Sequence, residues 1–277
     1  MRPQKRFLVM IVLCASIGAL TTPLADAQQA THDHARKQLS SKPDLKFLHG
    51  APADPTDSWA ISAGGRMYDN WWEALGRAKP KATHGAYPST GKTPGPDSWR
   101  CKECHGWDYK GRDGKYAQGS HATGIKGISD AQGHDPEKIA ALLRAQPHAY
   151  TTAMIRDDEM MRLSAFVSRG QIDVDKHIDA ATGDAKLTGQ SPEIFQERGR
   201  GIFQSTCAAC HGFDGRRLNF GTATKPAFVG TEARENPWEV MHKITNGHPG
   251  SEMINLRVFG LEEVSTVLAY ARSLPTK

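Results

Sequence analysis

The sequence predicts an all-α fold made of two similar helical halves. The string Cys-x-x-Cys-His occurs twice, at 101–105 and at 207–211. Around each string the same elements recur in the same order: a helical segment before it, a glycine-rich loop after it, and then two further helices. An internal repeat of this kind indicates that one small helical unit has been duplicated.

The two pentapeptides indicate the chemistry. C-x-x-C-H is the attachment signature of c-type haem. Two cysteines three residues apart lie on neighbouring turns of a short helix, so each can bond to one vinyl group of the same porphyrin. The histidine that follows lies under the ring and can ligate the iron. The sequence therefore predicts two covalently bound haems, held by Cys101 and Cys104 with His105, and by Cys207 and Cys210 with His211.

The N-terminus has the pattern of a secretory signal peptide, residues 1–27. Three basic residues precede an apolar stretch at 7–20, and Ala25-Asp26-Ala27 is an A-x-A cleavage site, so the mature chain is expected to start at Gln28 in the periplasm. The apolar stretch is short for a membrane span, although an uncleaved anchor remains an alternative. Residues 28–60 form a polar, proline-containing extension that is a candidate for disorder.

The cysteine count supports the haem interpretation. Of five cysteines, Cys14 lies in the signal peptide and the other four all belong to the two pentapeptides. No thiol is left for a structural disulfide or a nucleophile. Two local C-x-x-C disulfides are the alternative in an oxidising compartment, but they leave both histidines unexplained.

Length and charge limit the classes of function. A mature chain of about 250 residues suits two small domains. The formal charge of +5 falls to about +3 without the signal peptide, which carries three cations and one anion, and haem propionates bring the balance near neutral. The sequence therefore predicts no nucleic-acid partner.

The second copy of the repeat is the clearer one. A helix is predicted over 192–204, with Ser191 as its N-cap. Asn236-Pro237 opens a helix over 237–247, which a glycine ends. The loop 248–253 follows, and the last helix is predicted over 261–274, with acidic residues in its first turn.

The first copy follows the same order with one insertion. A helix is predicted over 64–75, and a Pro/Gly-rich insertion at 76–98 then delays the haem string. Asp135-Pro136 opens a helix over 136–146. A loop with Met154 leads to a final helix over 157–169.

The two repeats, over roughly 62–170 and 190–275, resemble domains of the cytochrome c superfamily in tandem di-haem form. The resemblance implies two class I cytochrome c-like helical domains in tandem, each enclosing one covalently bound haem. They would occupy 61–170, including the insertion, and 191–277, joined by a linker at 171–190.

In that family the first and last helices cross beside the haem. The resemblance places this crossing at Gly199 and Phe203 against Tyr270 in the second copy. In the first copy Gly64 and Tyr68 would meet Phe166. A glycine at such a crossing lets two backbones approach closely.

The sixth iron ligand in the family is usually a methionine in the loop before the last helix. Met253 and Met154 occupy that place and are the predicted ligands. A thioether favours Fe(II), so methionine–histidine ligation raises the reduction potential. For the first haem, a histidine or an open position stays an alternative. The competing histidines are His121, His134 and His148, with His248 in the second copy; Met160, Met161 and Met241 are predicted to be core residues.

The loop after the first string is rich in aromatic and basic residues. Its aromatic side chains are candidates for packing on the haem edge. Its cations could pair with haem propionates, form a docking surface, or simply lie in solvent at the rim of the protein. These residues are Trp99, Trp107, Tyr109 and Tyr116, and Arg100, Lys102, Lys110, Arg112 and Lys115.

The function that this pattern favours is one-electron carriage between periplasmic or membrane-bound redox partners, which needs no catalytic residue. A di-haem redox enzyme, similar to a thiosulfate dehydrogenase or a peroxidase, is the alternative. A cysteine-ligated thiosulfate dehydrogenase would need one more cysteine than the mature chain has. A third possibility is the electron-accepting subunit of a larger dehydrogenase.

Overall fold

The structure, a computed structural model, describes residues 48–187 and 189–277. In these residues the regular structure is helical, and extended segments pair only at two isolated bridges, Gly111–Lys126 and Ile178–Ala185. This confirms the all-α prediction for the part of the chain that is described. The predicted signal peptide, Cys14 and residues 28–47 of the extension lie outside the described residues.

Ten α-helices are named here, in two groups. The first group is α1 (Asp57–Ala74), α2 (Cys101–His105), α3 (Pro136–Arg144), α4 (Asp157–Arg169) and α5 (Val174–His177). The second group is α6 (Pro192–Ile202), α7 (Ala208–His211), α8 (Val229–Glu235), α9 (Pro237–Asn246) and α10 (Leu261–Ser273). Short 3₁₀ turns lie at Pro96–Trp99, Lys115–Ala117, Ser129–Ala131 and Arg257–Phe259. No helix in the described ranges is both long and apolar enough to span a bilayer.

The helix before the second haem string begins as predicted but ends differently. Ser191 is its N-cap and accepts a hydrogen bond from the backbone N–H of Ile194. The α-helix stops at Ile202 instead of continuing to Gln204, and a π-helical turn, Phe203–Cys207, leads directly into α7. The wider turn carries the chain into the second string without an intervening loop.

Both predicted helix crossings are confirmed. A Cβ on Gly199 would lie 2.0 Å from the carbonyl oxygen of Thr266, so α6 and α10 touch backbone to backbone. A Cβ on Gly64 would lie 2.2 Å from the carbonyl oxygen of Arg162, so α1 and α4 do the same. The aromatic partners also meet, with ring centroids 5.4 Å apart for Phe203 and Tyr270 and 5.3 Å apart for Tyr68 and Phe166.

The first half of the chain comprises residues 61–170 and the second half residues 191–277. One hydrophobic core runs through both halves. One cluster of buried side chains includes Tyr68 and Phe166 of the first half and Met241 and Leu268 of the second. The segment predicted as a linker also contributes buried side chains to it, among them Ile178. Because these side chains share one core, the two halves pack against each other.

Candidate haem-binding sites

The two C-x-x-C-H strings fold in the same way. Each ends in a glycine with a left-handed backbone, Gly106 at φ 79° and Gly212 at φ 80°, a conformation that glycine adopts without strain. In each, the carbonyl oxygen of the histidine then accepts a backbone hydrogen bond of 2.9 Å from six residues later, Gly111 for His105 and Arg217 for His211. The repeat seen in the sequence is therefore also a repeat of backbone geometry.

The four cysteines of the strings are unpaired thiols. Cys101, Cys104 and Cys207 are partly buried, and Cys210 is exposed. Burial raises the pKa of Cys101 to about 11, that of Cys104 to about 12 and that of Cys207 to about 11. These thiols are thus neutral at pH 7, and all four are free for thioether formation, as haem attachment requires.

The imidazole of His105 is oriented for ligation. Its Nδ1 lies 2.8 Å from the carbonyl oxygen of Lys126, which fixes the tautomer and leaves Nε2 as the free nitrogen. A second partner of this kind is typical of histidines that bind metals. Burial lowers the pKa of His105 to about 4, so the ring is neutral, the form that coordinates iron.

His211 lacks the equivalent support. Its Nδ1 is buried and has no hydrogen-bond partner in the described part of the chain. Burial, followed by the nearby charge of His248, lowers its pKa. The ring is neutral here too, but its orientation is not fixed by a carbonyl as that of His105 is.

Two candidate ligands for the first haem lie in one loop. The ring centroids of His105 and His148 are 6.2 Å apart, and the two ring planes are inclined at 32°. Met154 closes a turn that begins at Thr151 and packs, partly buried, against the hydrophobic core. Its carbonyl oxygen accepts a hydrogen bond from the guanidinium of Arg77.

The loop that carries Met253 is held by the first half. Arg66, on α1, donates from Nη2 to the carbonyl oxygen of Met253 at 2.7 Å and from Nε to that of Asn246 at 2.9 Å. The backbone N–H of Met253 lies 3.3 Å from the hydroxyl of Ser251. The predicted ligand of the second haem is therefore positioned by a cation from the other half.

Most cations of the loop after the first string are already paired. Arg100 binds the buried carboxylate of Asp69. Lys102 is buried beside Glu103, and its ammonium lies over the ring of Trp107 at 5.4 Å. Both side chains are thus held inside the protein and not in an ordinary solvated rim. Of the remaining cations, Lys110 pairs with Asp175, Lys115 lies over the ring of Trp238 at 4.0 Å, and Arg112 is exposed.

The loop aromatics contact protein side chains. Trp107 packs against His242, with ring centroids 5.1 Å apart, and Tyr109 against the same histidine. Sequence reasoning missed this contact between the halves, and it also missed Asp69. A carboxylate and a histidine within amphipathic helices carry no mark of burial in the sequence.

The predicted core methionines are partly confirmed. Met160 and Met241 are buried. Met161 is 38% exposed, so the prediction that it packs in the core is wrong. It follows Met160 by one residue, which turns it by about 100° around the helix and away from the buried face.

The comparisons with known proteins bear on the second half. Residues 195–270 match a family model described as cytochrome C oxidase, cbb3-type, subunit III. This match supports a c-type cytochrome. A domain of that kind implies covalently bound haem c, redox partners and a function in electron transfer. No curated protein and no solved structure matches the chain.

Proposed function

We propose that the chain is a periplasmic di-haem c-type cytochrome that relays single electrons between redox partners. The observation that carries this proposal is the repeated geometry of the two haem strings. The second string lies inside the region that matches the cytochrome family model. The first has the same glycine conformation and the same backbone hydrogen bond, so we assign it the same cofactor.

In this proposal each half binds one haem through its own side chains. Cys101 and Cys104 would hold the first by thioether bonds, and His105 would ligate its iron. Cys207 and Cys210 would hold the second, with His211 and Met253 as ligands of its iron. When bound, haem c supplies reversible one-electron chemistry at iron. The polypeptide would surround the porphyrin, fix the ligands and set the potential.

The side chains present at both strings fit the requirements of haem c. Four unpaired thiols and two neutral imidazoles are the donor set that haem c requires. At the first string, the carbonyl of Lys126 fixes the imidazole with Nε2 free. If protein side chains ligate both irons, no substrate site and no general acid or base is needed, which favours electron transfer over substrate turnover.

Counting covalent haems tests the proposal. The full-length gene is expressed in a host with working haem-maturation machinery, and the exported protein is measured by intact mass spectrometry. We expect two porphyrin additions on a chain without residues 1–27. The double variant Cys101→Ala/Cys104→Ala should lose one addition, and Cys207→Ala/Cys210→Ala the other.

The alternative results are distinct. A single addition at the second string would remove the relay and leave a mono-haem carrier. No addition would reject haem binding altogether. Two haems with rapid cyanide binding at one of them would favour the peroxidase-like alternative, because a closed low-spin site exchanges ligands slowly. Retention of residues 1–27 in the exported protein would support a membrane anchor.

A further inference from the structure

The ring centroids of His105 and His148 have the separation that one shared iron requires. Metal–imidazole bonds are about 2 Å long, and a coordinating nitrogen lies about 1.1 Å from its ring centre, so two imidazoles on one iron have centres roughly 6.2 Å apart. The observed separation is 6.2 Å. We propose that His148, in place of Met154, is the axial ligand opposite His105. This inference rests on the proposed function, since it requires a haem at Cys101 and Cys104.

The environment of His148 leaves its ring available. The residue is half-buried. The carbonyl of Leu142 is the acceptor near this ring, but no contact of the buried Nδ1 meets hydrogen-bond geometry in the described residues. A buried ring nitrogen without a protein partner calls for an explanation, and a ligand bound beside the ring is one.

The insertion at 76–98 holds the His148 loop in place. His84, which is buried, accepts at Nδ1 from the backbone N–H of Ala86 at 3.1 Å, so its Nε2 carries the proton. That Nε2–H donates to the carbonyl oxygen of His148 at 2.9 Å. The ring of His84 packs edge-on against Trp99, with centroids 4.4 Å apart, just before the first haem string. The insertion therefore links the string to the loop that faces it.

The backbone beside His148 is also constrained. Ala149 has φ of 54°, a left-handed conformation that alanine adopts rarely because its Cβ crowds the carbonyl. The N–H of Ala149 is nonetheless bound to the carbonyl oxygen of Ala145 at 2.9 Å. Local strain of this kind is retained where the surrounding structure fixes a functional position.

Met154 has a sufficient structural role without iron. Its side chain packs against the hydrophobic core. The second half shows the contrast. His248 follows Pro237 by eleven residues, as His148 follows Pro136 by twelve. There, however, the aromatic rings that pack on His211 are those of Phe203 and Phe220, and Met253 remains the candidate ligand.

Unequal ligands would give the relay a direction. Histidine–methionine ligation raises the potential of a c-type haem relative to ligation without a thioether. The first haem, with two histidines, would then have the lower potential and the second the higher. Electrons would pass downhill from the first half to the second.

Spectroscopy of the holoprotein tests the assignment. Iron ligated by methionine shows a weak far-red charge-transfer band in the oxidised state, and iron ligated by two histidines does not. We expect the wild type to show this band for one of its two haems. We expect His148→Ala to convert one haem to high spin, and added imidazole to restore low spin. The matched variant Met154→Leu should keep both haems low-spin.

Several outcomes would overturn the assignment. A far-red band of full intensity for both haems in the wild type would reject His148, and this measurement needs no variant to fold. High spin in Met154→Leu, or unchanged low spin in His148→Ala, would reject it as well. Haem counting separates this failure from that of the proposed function. A single haem at the second string overturns both, whereas two haems with methionine ligation overturn the assignment alone.

Discussion

The hydroxyl of Tyr109 lies 2.8 Å from Nδ1 of His242 and joins the two halves inside the core. The other ring nitrogen of His242 lies 2.9 Å from the carbonyl oxygen of Gly65. Since that carbonyl only accepts, Nε2 carries the proton and Nδ1 accepts from the tyrosine. Burial lowers the pKa of His242 to about 4, so the ring is neutral and can make both bonds.

Tyr109→Phe is expected to destabilise the protein by about 1–3 kcal/mol, because Nδ1 of His242 is left buried without a donor. The shift of the urea midpoint measures this change. Tyr270→Phe is the matched control: its hydroxyl lies 2.7 Å from the amide of Gln204 but is partly exposed, so its loss should cost less. An equal shift of the urea midpoint in the two variants would show that the buried contact between the halves contributes no more to stability than the partly exposed one.

Asp69 is expected to govern stability at acid pH. Burial alone would raise the pKa of this carboxyl, but the charges of Lys243 and Arg100 outweigh burial and hold the pKa below its usual value. An aspartate in the unfolded chain titrates near pH ~3.9. The contribution of Asp69 is therefore fully present above that pH and is lost as the pH falls through the lower, folded pKa.

Asp69→Asn should cost about 1–3 kcal/mol at pH 7, since the partly buried Arg100 loses its carboxylate partner and Lys243 keeps only Glu239. It should also flatten the fall in unfolding free energy below pH ~4. Denaturant titrations between pH 2.5 and 7 provide the measurement. The control is Asp173→Asn, which removes an exposed pair with Lys176 and should cost less than about 1 kcal/mol. A similar acid limb in both variants would contradict the role of Asp69.

Gly199→Ala should destabilise the second half by about 1–3 kcal/mol, because its Cβ would overlap a carbonyl oxygen of α10. Gly201 offers a matched control on the same helix, since a Cβ there meets nothing within 4 Å. Gly201→Ala should leave stability unchanged or raise it by up to about 1 kcal/mol. The melting temperatures of the two variants, measured by thermal unfolding, test this difference. Equal melting temperatures would rule out a close contact between α6 and α10 at Gly199.

Met253→Leu should abolish the far-red band and lower the potential of the second haem, because the thioether that favours Fe(II) is removed. A spectroscopic redox titration follows both effects. Met241→Leu is the control, since Met241 is a fully buried core residue on α9. If the band and the potential survive in Met253→Leu, another side chain ligates that iron.

Arg66→Gln, in the first half, should loosen the loop that carries Met253 in the second half. Losing the two hydrogen bonds to the 246–253 loop is expected to cost about 1.5–3 kcal/mol for each bond and to broaden or reduce the far-red band. Arg169→Gln, which breaks an exposed pair with Asp57, should leave the band unchanged. An intact band in Arg66→Gln would mean that the loop holds Met253 without help.

The local elements were predictable because their signals are local. The caps, the proline and glycine boundaries and the glycine–aromatic spacing led to α4, α9 and α10 within a residue or two, and to both helix crossings. The end of α6 was not predictable, because a π-helical turn at 203–207 leaves no mark in the side-chain pattern. The exposure of Met161 follows from the helical period, because it lies about 100° around α4 from the buried Met160.

The sequence by itself determined the donor set: two C-x-x-C-H strings, each followed at a distance by a loop with a histidine and a methionine. Covalent attachment needs only neighbours along the chain, so a short motif encodes it. Only the tertiary structure decided which distant side chains meet, since it brings the ring of His148 to 6.2 Å from that of His105 and ties Met253 to Arg66. Such pairings depend on packing between segments far apart in sequence, and no local pattern records them.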